Sequence, residues 1–309
     1  MLSASQGLPA PHREALARVP VVARSAPIAG VDTHWWEYGP EDAHGTILAV
    51  HGYRGDHHGI EPVIAQLPEF RIVNADLPGY GESGQFAGRH TLDAYVAWLI
   101  EFSARFEAPL TILGHSFGSI VTAAALDKGL APDRVVLMNP IAGNALRGSK
   151  AVGTLLAASW YRLAEVMPER SGRRALEARF MVDGMSALTT KTRDRELRRW
   201  IKEEHRRYFN GFATKSSVIE GFDASVSDHV AAHAAAFTMP TLLIAARQDQ
   251  IASIKAVRRL RDEIPGSELL ELDGVGHLIH YERALEASTA IRSFIEAHPI
   301  DPPTAGHPG

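Results

Sequence analysis

The fold is decided by ten residues, Leu110-Thr111-Ile112-Leu113-Gly114-His115-Ser116-Phe117-Gly118-Ser119. A short apolar run, 110–113, leads into a Gly-x-Ser-x-Gly turn, and an alanine-rich helical pattern follows directly. A strand, a sharp turn and a helix in this order form a nucleophile elbow, which exposes its serine above a sheet. The turn is so tight that a side chain at Gly114 or Gly118 would collide with the neighbouring strand or helix. We therefore expect Ser116 at the apex, in a strained backbone conformation, with its Oγ exposed.

Short apolar runs alternate with helical patterns on both sides of this stretch. The run 46–51, Thr-Ile-Leu-Ala-Val-His, has the continuous apolar character of a strand buried on both faces of a parallel sheet. The alternation predicts an α/β fold, a mostly parallel sheet with helices on both faces. Eight strands are predicted, at 21–24, 33–38, 46–51, 71–75, 110–113, 134–138, 241–246 and 268–272. Helices are predicted at 58–67, 92–106, 116–128, 253–263 and 282–297.

About a hundred residues, 140–238, interrupt this alternation with helical pattern and no strong strand signal. They also differ in charge. Residues 147–215 contain 16 Lys and Arg against 8 Asp and Glu, whereas the rest of the chain contains 16 against 28. We therefore predict a core at 21–139 and 239–298, an inserted helical cap at 140–238, and flexible termini at 1–20 and 299–309. The charged stretch 193–207 predicts a helix with a solvated face held by Glu/Arg pairs across a turn, or a surface that attracts an anionic substrate.

The amino-acid composition excludes several classes of function. The 309 residues include no cysteine, which excludes disulfides, thiolate metal sites and a cysteine nucleophile. A formal net charge of -4 gives no overall attraction to nucleic acid or to an anionic membrane. Neither a secretory leader nor an apolar run of membrane-spanning length is recognisable in the sequence. The expected protein is cytoplasmic, does not bind nucleic acid and has no stable membrane insertion.

A serine nucleophile needs a base, and His277 is the best candidate. The base must take the serine proton and later return a proton to the leaving group, which suits a histidine because its pKa lies near neutrality. His277 lies in Gly-Val-Gly-His, in the loop after the last predicted strand. His280 lacks the glycines and falls at the start of a helix. His115 neighbours the serine in sequence, so its side chain points away from the place of a base, and packing in the elbow explains it better.

The third member of such a triad is a buried carboxylate that orients the imidazole. Asp249 follows the predicted strand 241–246 through Arg-Gln, which is the expected place in the order Ser, acid, His. Asp273 is the alternative, but it precedes His277 in the same loop and is badly placed to reach its Nδ1. Asn139, at the end of the strand 134–138, is an amide and leaves Asp249 as the predicted acid.

An oxyanion formed on the substrate needs preorganised donors. The backbone N–H of Phe117 is the first candidate, because it stands at a helix N-terminus directly after the nucleophile. The second donor should come from the loop after the strand 46–51. Tyr53, which follows His51-Gly52, is placed for that role.

With these parts assembled, the chain resembles the α/β-hydrolase superfamily. The resemblance covers about 21–298 apart from the cap and rests on five segments in order: His51-Gly52-Tyr53, the loop 76–83 (Asp-Leu-Pro-Gly-Tyr-Gly-Glu-Ser), Gly114 to Gly118, Asp249, and Gly276-His277. The loop 76–83 is most similar to esterases, C–C bond hydrolases, epoxide hydrolases and cofactor-free haloperoxidases. The resemblance implies that Ser116 is the nucleophile, Asp249 the acid and His277 the base, with Tyr53 and Phe117 as oxyanion donors.

The same resemblance narrows the choice among the reactions that related hydrolases catalyse. Epoxide hydrolases and haloalkane dehalogenases carry Asp at the elbow, where this chain has Ser116. The residues Tyr53-Arg54-Gly55-Asp56 depart from the glycine-rich continuation usual in C–C hydrolases, and Phe117 replaces the Trp usual in proline iminopeptidases. Hydrolysis of a carboxylic ester or thioester remains the general prediction. The alternatives are a meta-cleavage-type C–C hydrolase and, from another class, a non-catalytic binding module on the same fold.

No cofactor or metal is expected. The pair His57-His58 and the histidines His229 and His233 show no matching carboxylate spacing in the sequence, so surface or cap positions explain them more simply. The substrate is expected to be a small-molecule ester, anionic if the basic cap faces the cleft. The cap residues expected to shape the pocket are Trp160, Tyr161, Phe180, Met181, Trp200 and Phe209.

Overall fold

The computed structural model of the chain describes residues 10–144 and 151–300, so residues 1–9 of the predicted flexible terminus 1–20 and nearly all of the predicted terminus 299–309 lie outside the described residues. An eight-stranded sheet has the spatial order β1-β2-β4-β3-β5-β6-β7-β8. Its first two pairs, β1–β2 and β2–β4, are antiparallel and every other neighbouring pair is parallel, which confirms the α/β prediction. The strands are β1 Val21–Ile28, β2 Val31–Tyr38, β3 Thr46–Val50, β4 Arg71–Ala75, β5 Leu110–His115, β6 Arg134–Met138, β7 Thr241–Ala246 and β8 Glu268–Leu272.

The central strands are buried along their whole length and supply side chains to both faces of the sheet. In β3, Leu48 and Val50 pack with the helices that follow β4 and β5, whereas Ile47 and Ala49 pack on the opposite face. This alternation is the period-two geometry of a strand. Each fully buried aliphatic side chain of this kind contributes about 1.5–3 kcal/mol to the free energy of unfolding. The sheet therefore holds its strand ends, and the loops that follow them, in fixed positions.

Helices cover both faces of the sheet, and two of them differ from prediction. The predicted helix 58–67 is instead a 3₁₀ turn, His57–Gly59, followed by one α-helical turn, because the pyrrolidine of Pro62 fits only the first turn of a helix. The predicted helix 282–297 is split at Arg283, whose φ of -141° is not helical. The helices are α1 Arg13–Leu16, α2 Glu61–Ile64, α3 Leu92–Ser103, α4 Phe117–Asp127, α5 Ala151–Val166, α6 Glu169–Leu176, α7 Arg179–Thr189, α8 Arg195–Tyr208, α9 Lys215–Ser227, α10 Ile254–Glu263, α11 Ile279–Glu282 and α12 Ala284–Ala297.

Five helices, α5 to α9, and a 3₁₀ turn, Val230–Ala236, lie between β6 and β7 and are called the insertion below. The charged side chains of helix α8 form ion pairs with a neighbouring helix as well as within α8 itself. Its Arg207 lies 3.9 Å from Glu204 in the same helix, but the closer contact joins Arg206 to Asp183 of α7, at 2.6 Å. Lys202 also reaches Asp183, at 3.2 Å. Part of the basic face therefore packs two helices of the insertion together.

Arg54 ties the loop after β3 to the insertion. It is 3% exposed, and its guanidinium donates to the backbone oxygens of Phe209 and Leu176, at 3.1 Å each. It also donates to Asn210 Oδ1 at 2.7 Å and to the hydroxyl of Tyr161 at 3.3 Å. The planar guanidinium has five N–H donors, and here they connect one core loop to three parts of the insertion.

A hydrophobic segment of bilayer-spanning length is absent from the helices within 10–144 and 151–300.

Candidate active site

Ser116 occupies the apex of the turn between β5 and α4, with φ 52° and ψ -115°. An L-residue rarely adopts a positive φ, and such strain persists only where the surroundings fix it. The glycines on either side explain how the turn closes. A Cβ on Gly114 would come within 2.8 Å of the oxygen of Gly118, and a Cβ on Gly118 would overlap the backbone oxygen of Val50. The expected close approach at both glycines is therefore present.

Gly118→Ala is expected to destabilise the protein strongly, because the new methyl group meets the backbone of β3, which cannot rotate away. We expect a fall in thermal midpoint of several degrees or loss of folded protein, measured by circular dichroism. Gly88→Ala is the matched control, since a Cβ there has nothing within 4 Å and its φ is not in the left-handed region. Equal midpoints for the two variants would contradict the tight packing of the elbow.

The loops after β5, β7 and β8 bring the three predicted triad residues together. His277 Nε2 lies 2.7 Å from Ser116 Oγ, and His277 Nδ1 lies 2.8 Å from Asp249 Oδ2. These distances form one continuous chain from carboxylate to imidazole to hydroxyl. His277 and Asp249 are both 5% exposed, so the imidazole cannot swing freely away from the serine. This arrangement lets a proton move from the hydroxyl to the imidazole.

The carboxylate of Asp249 is held by several donors. Its Oδ1 accepts the backbone N–H groups of Ile251 at 2.7 Å and Ala252 at 2.9 Å, while Oδ2 faces His277. Burial alone would raise the pKa of Asp249, but His277 and the two N–H groups together lower it below the usual value. The residue is therefore ionised at neutral pH and available to stabilise an imidazolium.

Asn139 contacts both Asp249 and the loop that carries His277, which the sequence did not predict. Its Nδ2 donates to Asp249 Oδ2 at 2.9 Å and to the backbone oxygen of Gly276 at 3.2 Å. The amide thus braces the carboxylate and the loop that carries His277. Its position at the end of β6, beside the nucleophile strand, was the available signal, but only the fold shows which carboxylate it meets.

Tyr53 and Phe117, the predicted oxyanion donors, line the same cavity as Ser116. Phe117 is the first residue of α4, where backbone N–H groups have no partner within the helix. The side chain of Tyr53 is anchored away from the serine, since its hydroxyl donates to the backbone oxygen of Val218 at 2.8 Å. This anchoring leaves the backbone of Tyr53, rather than its ring, as the group that can serve an oxyanion.

The rival candidates lie in different surroundings. Asp273 is largely exposed and its carboxylate pairs with Arg247 at 3.0 Å. His115 is buried within the elbow, with its Nδ1 close to Gly52. His280 lies in α11, as expected for a residue at a helix start. Among the described hydrogen bonds, it is His277 that contacts the Ser116 hydroxyl, at 2.7 Å, and Asp249 that contacts His277, at 2.8 Å.

A cavity of about 290 Å³ opens beside Ser116 and His277. Of the six residues expected to shape it, Tyr161, Met181 and Phe209 line it. The other three do not: Phe180 is 62% exposed, Trp160 packs edge-on against it, and Trp200 packs against Tyr281 outside the cavity. Further apolar lining from the insertion comes from Ala157, Met185, Leu188, Phe222 and Val226.

Few charged residues line the cavity, and the insertion contributes no lysine or arginine to its described lining. Among the described lining residues only Arg54, Asp56 and Glu204 are charged, and Arg54 is occupied by its bonds to the insertion. The many lysines and arginines of the insertion lie elsewhere on the described surface. The preference for an anionic substrate, which depended on a basic cap facing the cleft, therefore has no support from this lining.

Comparison with known proteins decides the family. A family model described as serine aminopeptidase, S33, matches residues 41–284. The chain belongs to this family of α/β-hydrolases. The resemblance inferred from its motifs is therefore confirmed.

Two curated relatives illustrate the range of this α/β-hydrolase family. The chain is 26% identical over 283 residues to the dihydrolipoyllysine-residue acetyltransferase component of the acetoin cleaving system of Pseudomonas putida, covering 89% of this chain and 70% of that protein. It is 34% identical over 140 residues to lipase LipV of Mycobacterium tuberculosis, covering 42% of this chain and 51% of the lipase.

Solved structures show the same fold at lower identity. The enol-lactonase of Burkholderia xenovorans LB400 matches with a TM-score of 0.73 and 21% identity, over 88% of this α/β-hydrolase and 100% of that chain. An esterase from Exiguobacterium antarcticum matches with a TM-score of 0.73 and 15% identity, over 89% of this chain and 100% of the esterase chain.

The prediction that His57-His58 lacks a carboxylate and lies at the surface or in the cap was wrong for this α/β-hydrolase. His57 is 4% exposed, its Nδ1 lies 2.9 Å from Asp76 Oδ1, and its ring stacks on Trp36. One ligand atom each from Asp56, His57 and His58 lies within 4.8 Å of the others, a spacing that could hold a metal ion. The Asp56 carboxylate is already bonded to the ring and the backbone N–H of His58, however, so the cluster is satisfied by internal bonds. Asp56 directly precedes His57 in the sequence, whereas the second carboxylate, Asp76, is brought in by the loop after β4.

His233 lies in the 3₁₀ turn Val230–Ala236 of the insertion, a cap position as expected, and it pairs with two carboxylates. Its Nε2 lies 2.9 Å from Asp228 Oδ2 and its Nδ1 lies 3.6 Å from Asp127 Oδ2.

Burial keeps three histidines of the cavity wall uncharged at neutral pH. It lowers the pKa of His115 to about 3 and of His205 to about 4, and it holds the pKa of His280 well below its usual value. The unfolded chain binds protons at these residues near pH 6.5, whereas the folded chain does so only at lower pH. Their contribution to stability is therefore fully present above pH 6.5 and is lost as the pH falls toward the folded pKa.

We expect the free energy of unfolding to fall between pH 7 and pH 5, and His205→Phe to remove part of that fall. Each such histidine contributes a slope of about 1.4 kcal/mol per pH unit at most. Urea unfolding at the two pH values measures the difference. His44→Phe, at an exposed position, is the control and should leave the pH dependence unchanged. An identical pH dependence for wild type and His205→Phe would contradict the neutral state of His205.

Proposed function

We propose that this α/β-hydrolase cleaves a carboxylic ester or thioester of a small molecule through an acyl-enzyme. Ser116 is the nucleophile, His277 the general base and acid, and Asp249 the residue that orients the imidazole. Backbone N–H groups of Tyr53 and Phe117 form the oxyanion site. The observation that carries the proposal is the continuous chain of contacts Asp249–His277–Ser116 at 2.8 and 2.7 Å beside a cavity.

The first half of the reaction acylates the serine. Ser116 Oγ attacks the carbonyl carbon while His277 Nε2 takes its proton, and the negative charge that forms on the carbonyl oxygen is stabilised by the oxyanion N–H groups. The tetrahedral intermediate collapses when the bond to the leaving oxygen or sulfur breaks. His277 gives the proton to that atom, and the alcohol or thiol departs.

The second half releases the acid. A water molecule attacks the acyl carbon of the Ser116 ester, and His277 takes one of its protons. The second tetrahedral intermediate breaks its bond to Ser116 Oγ, which recovers a proton from His277. Ionised Asp249 stabilises the imidazolium in both halves. The scheme requires no metal or organic cofactor.

We further propose that residues 140–238 act as a cap that selects the substrate. Support comes from the cavity lining, in which apolar side chains of α5, α7 and α9 face the loops that carry the triad. An apolar lining of this size suits a short or medium acyl chain rather than a charged acid.

The proposal is tested by activity-based labelling. A fluorophosphonate probe should label the wild-type protein on Ser116, and a series of p-nitrophenyl esters of increasing acyl length should be hydrolysed. A wild-type protein that is folded but not labelled would overturn the proposal. Turnover of a vinylogous diketone without turnover of any simple ester would select the C–C hydrolase instead.

A further inference from the structure

Glu282, the last residue of α11, is a buried carboxylate that the proposed reaction does not use. It is 5% exposed. Its Oε1 and Oε2 accept the backbone N–H of Lys191, at 3.1 and 3.0 Å, and Oε2 also accepts the backbone N–H of Thr192. Both donors lie between α7 and α8 of the insertion. One carboxylate of the core therefore holds this segment of the insertion.

The same carboxylate reaches the loop that carries His277. Burial raises the pKa of Glu282, and the backbone N–H of Gly276 joins those of Lys191 and Thr192 in opposing that rise. Gly276 directly precedes His277 in the chain. Each of these three contacts brings a donor, which suits the ionised form of a carboxylate because that form only accepts hydrogen bonds. Glu282 thus joins the insertion to the loop of His277.

Gly276 is held at both of its peptide groups. Its N–H faces Glu282, and its backbone oxygen accepts the Nδ2 of Asn139 at 3.2 Å. A Cβ on Gly276 would overlap the backbone oxygen of Thr189 and come within 2.9 Å of Cγ of Lys191, so the loop packs directly on the end of α7. These contacts fix the direction in which the next side chain, that of His277, leaves the loop.

Glu282 lies outside the described lining of the cavity, which includes His277 and Thr189 but neither Glu282 nor the segment 191–192. An effect of Glu282 on the reaction must therefore pass through His277. His277 Nε2 lies 2.7 Å from Ser116 Oγ, and a displacement of about 1 Å between reacting groups can lower a rate by about 10²-fold. A contact that fixes this loop therefore matters to the reaction.

We propose that Glu282 is a positioning residue that couples the insertion to His277. Its carboxylate holds the segment 191–192 and the N–H of Gly276 together, so that the insertion contributes to the alignment of the triad as well as to the cavity. This inference rests on the proposed function, because it assigns a further residue to the same reaction. No bond to Glu282 is made or broken during that reaction.

Glu282→Gln tests the proposal with a small change in shape. The amide replaces one acceptor oxygen with an N–H₂ donor, which must face a backbone N–H and cannot bond to it. We expect kcat for p-nitrophenyl butanoate to fall about tenfold and KM to change less than about twofold. The rate of fluorophosphonate labelling should fall by a similar factor. Unchanged kcat and labelling rate in the folded variant would overturn the proposal.

Hydrogen exchange measures the coupling without reference to activity. Exchange followed by mass spectrometry, on peptides that cover 189–193 and 274–278, should be faster in Glu282→Gln than in wild type in both segments. Ser288→Ala is the matched control, because it also removes a buried hydrogen-bonding group, one that donates to the backbone oxygen of Val63 at 3.1 Å. It should leave kcat and the exchange of both segments unchanged. Faster exchange in only one segment of Glu282→Gln would reject the coupling.

A second variant cuts the contact from the side of the insertion and leaves Glu282 in place. Lys191→Pro removes one N–H donor, and the extended backbone of Thr190, with φ -83° and ψ 127°, is compatible with a following proline. Lys191→Ala keeps that N–H and is the matched control. We expect kcat to fall about threefold in the proline variant and to match wild type in the alanine variant. Equal kcat values for the two variants would show that the insertion does not act on His277 through Glu282.

The outcomes separate this inference from the proposed function. Wild-type protein that is labelled, together with a folded Glu282→Gln variant of unchanged kcat, would leave the serine hydrolase standing and reject the positioning role. Wild-type protein that is folded but not labelled would reject the serine hydrolase, and with it the positioning of a catalytic base. Hydrogen exchange would still show in that case whether Glu282 joins the two segments.

Discussion

Replacing Ser116 with alanine is expected to lower kcat for p-nitrophenyl esters by about 10⁴- to 10⁶-fold and to abolish fluorophosphonate labelling. The variant removes the only atom in the proposed scheme that forms a bond to the acyl carbon. Since Ser116 Oγ lies 2.7 Å from His277 Nε2, its loss leaves the base without a proton to accept. Alanine tolerates the turn no worse than serine, so the fold should survive. Circular dichroism and the thermal midpoint check that point.

Ser159→Ala is the matched control for this experiment. Ser159 is an exposed residue of α5, and its hydroxyl donates to the backbone oxygen of Leu155 in the same helix, at 2.9 Å. Its replacement should leave turnover and labelling unchanged. Retention of most of the activity by folded Ser116→Ala would mean that the elbow serine is not the nucleophile.

Asp249→Asn is expected to lower kcat by about 10⁴-fold while the protein remains folded. The carboxylate accepts the Nδ1–H of His277 at 2.8 Å, and this bond fixes the tautomer whose Nε2 can accept the serine proton. An amide in the same place can donate to Nδ1 instead, which stabilises the wrong tautomer. The backbone donors of Ile251 and Ala252 can still bond the amide oxygen, so the loop should keep its shape.

Asp273→Asn separates the two carboxylates that the sequence offers for this role. Asp273 pairs with Arg247 at an exposed site, so its replacement should change kcat less than twofold. Initial rates with one p-nitrophenyl ester, measured for both variants at the same pH, give the comparison. Loss of activity in Asp273→Asn with retention in Asp249→Asn would reverse the assignment.

The parts of the structure that the sequence predicted well are governed by local pattern. The strands at 71–75, 134–138, 241–246 and 268–272 begin and end as predicted, because apolar runs there are closed off by turn-forming or polar residues. The close packing at the elbow followed from its two glycines, since only a residue without Cβ fits the gap beside β3. The order of serine, acid and histidine followed from the strand order of the sheet.

The parts that the sequence did not predict depend on contacts between distant segments. Asn139 meets Asp249 across 110 positions, and Arg54 meets Asn210 across 156. His57 was misplaced because Asp76, its partner, directly follows β4, which is brought beside β3 only in the folded sheet. In each case a polar side chain near a strand end is visible in the sequence, but its partner is set by packing. The contact of His205 with Tyr281 was missed for the same reason, since α8 brings His205 to α11.

Arg54 has a consequence for how substrate enters. It directly follows Tyr53, and its guanidinium is fastened to α6, to Tyr161 of α5 and to the segment after α8. A swing of the insertion at this end would pull on the backbone of Tyr53, whose N–H is one of the two proposed oxyanion donors. If the insertion acts as the proposed cap, we expect its opening to misalign the proposed oxyanion site, so that activity requires closure over the substrate. Arg54→Met should cut this mechanical link and lower kcat more than it raises KM.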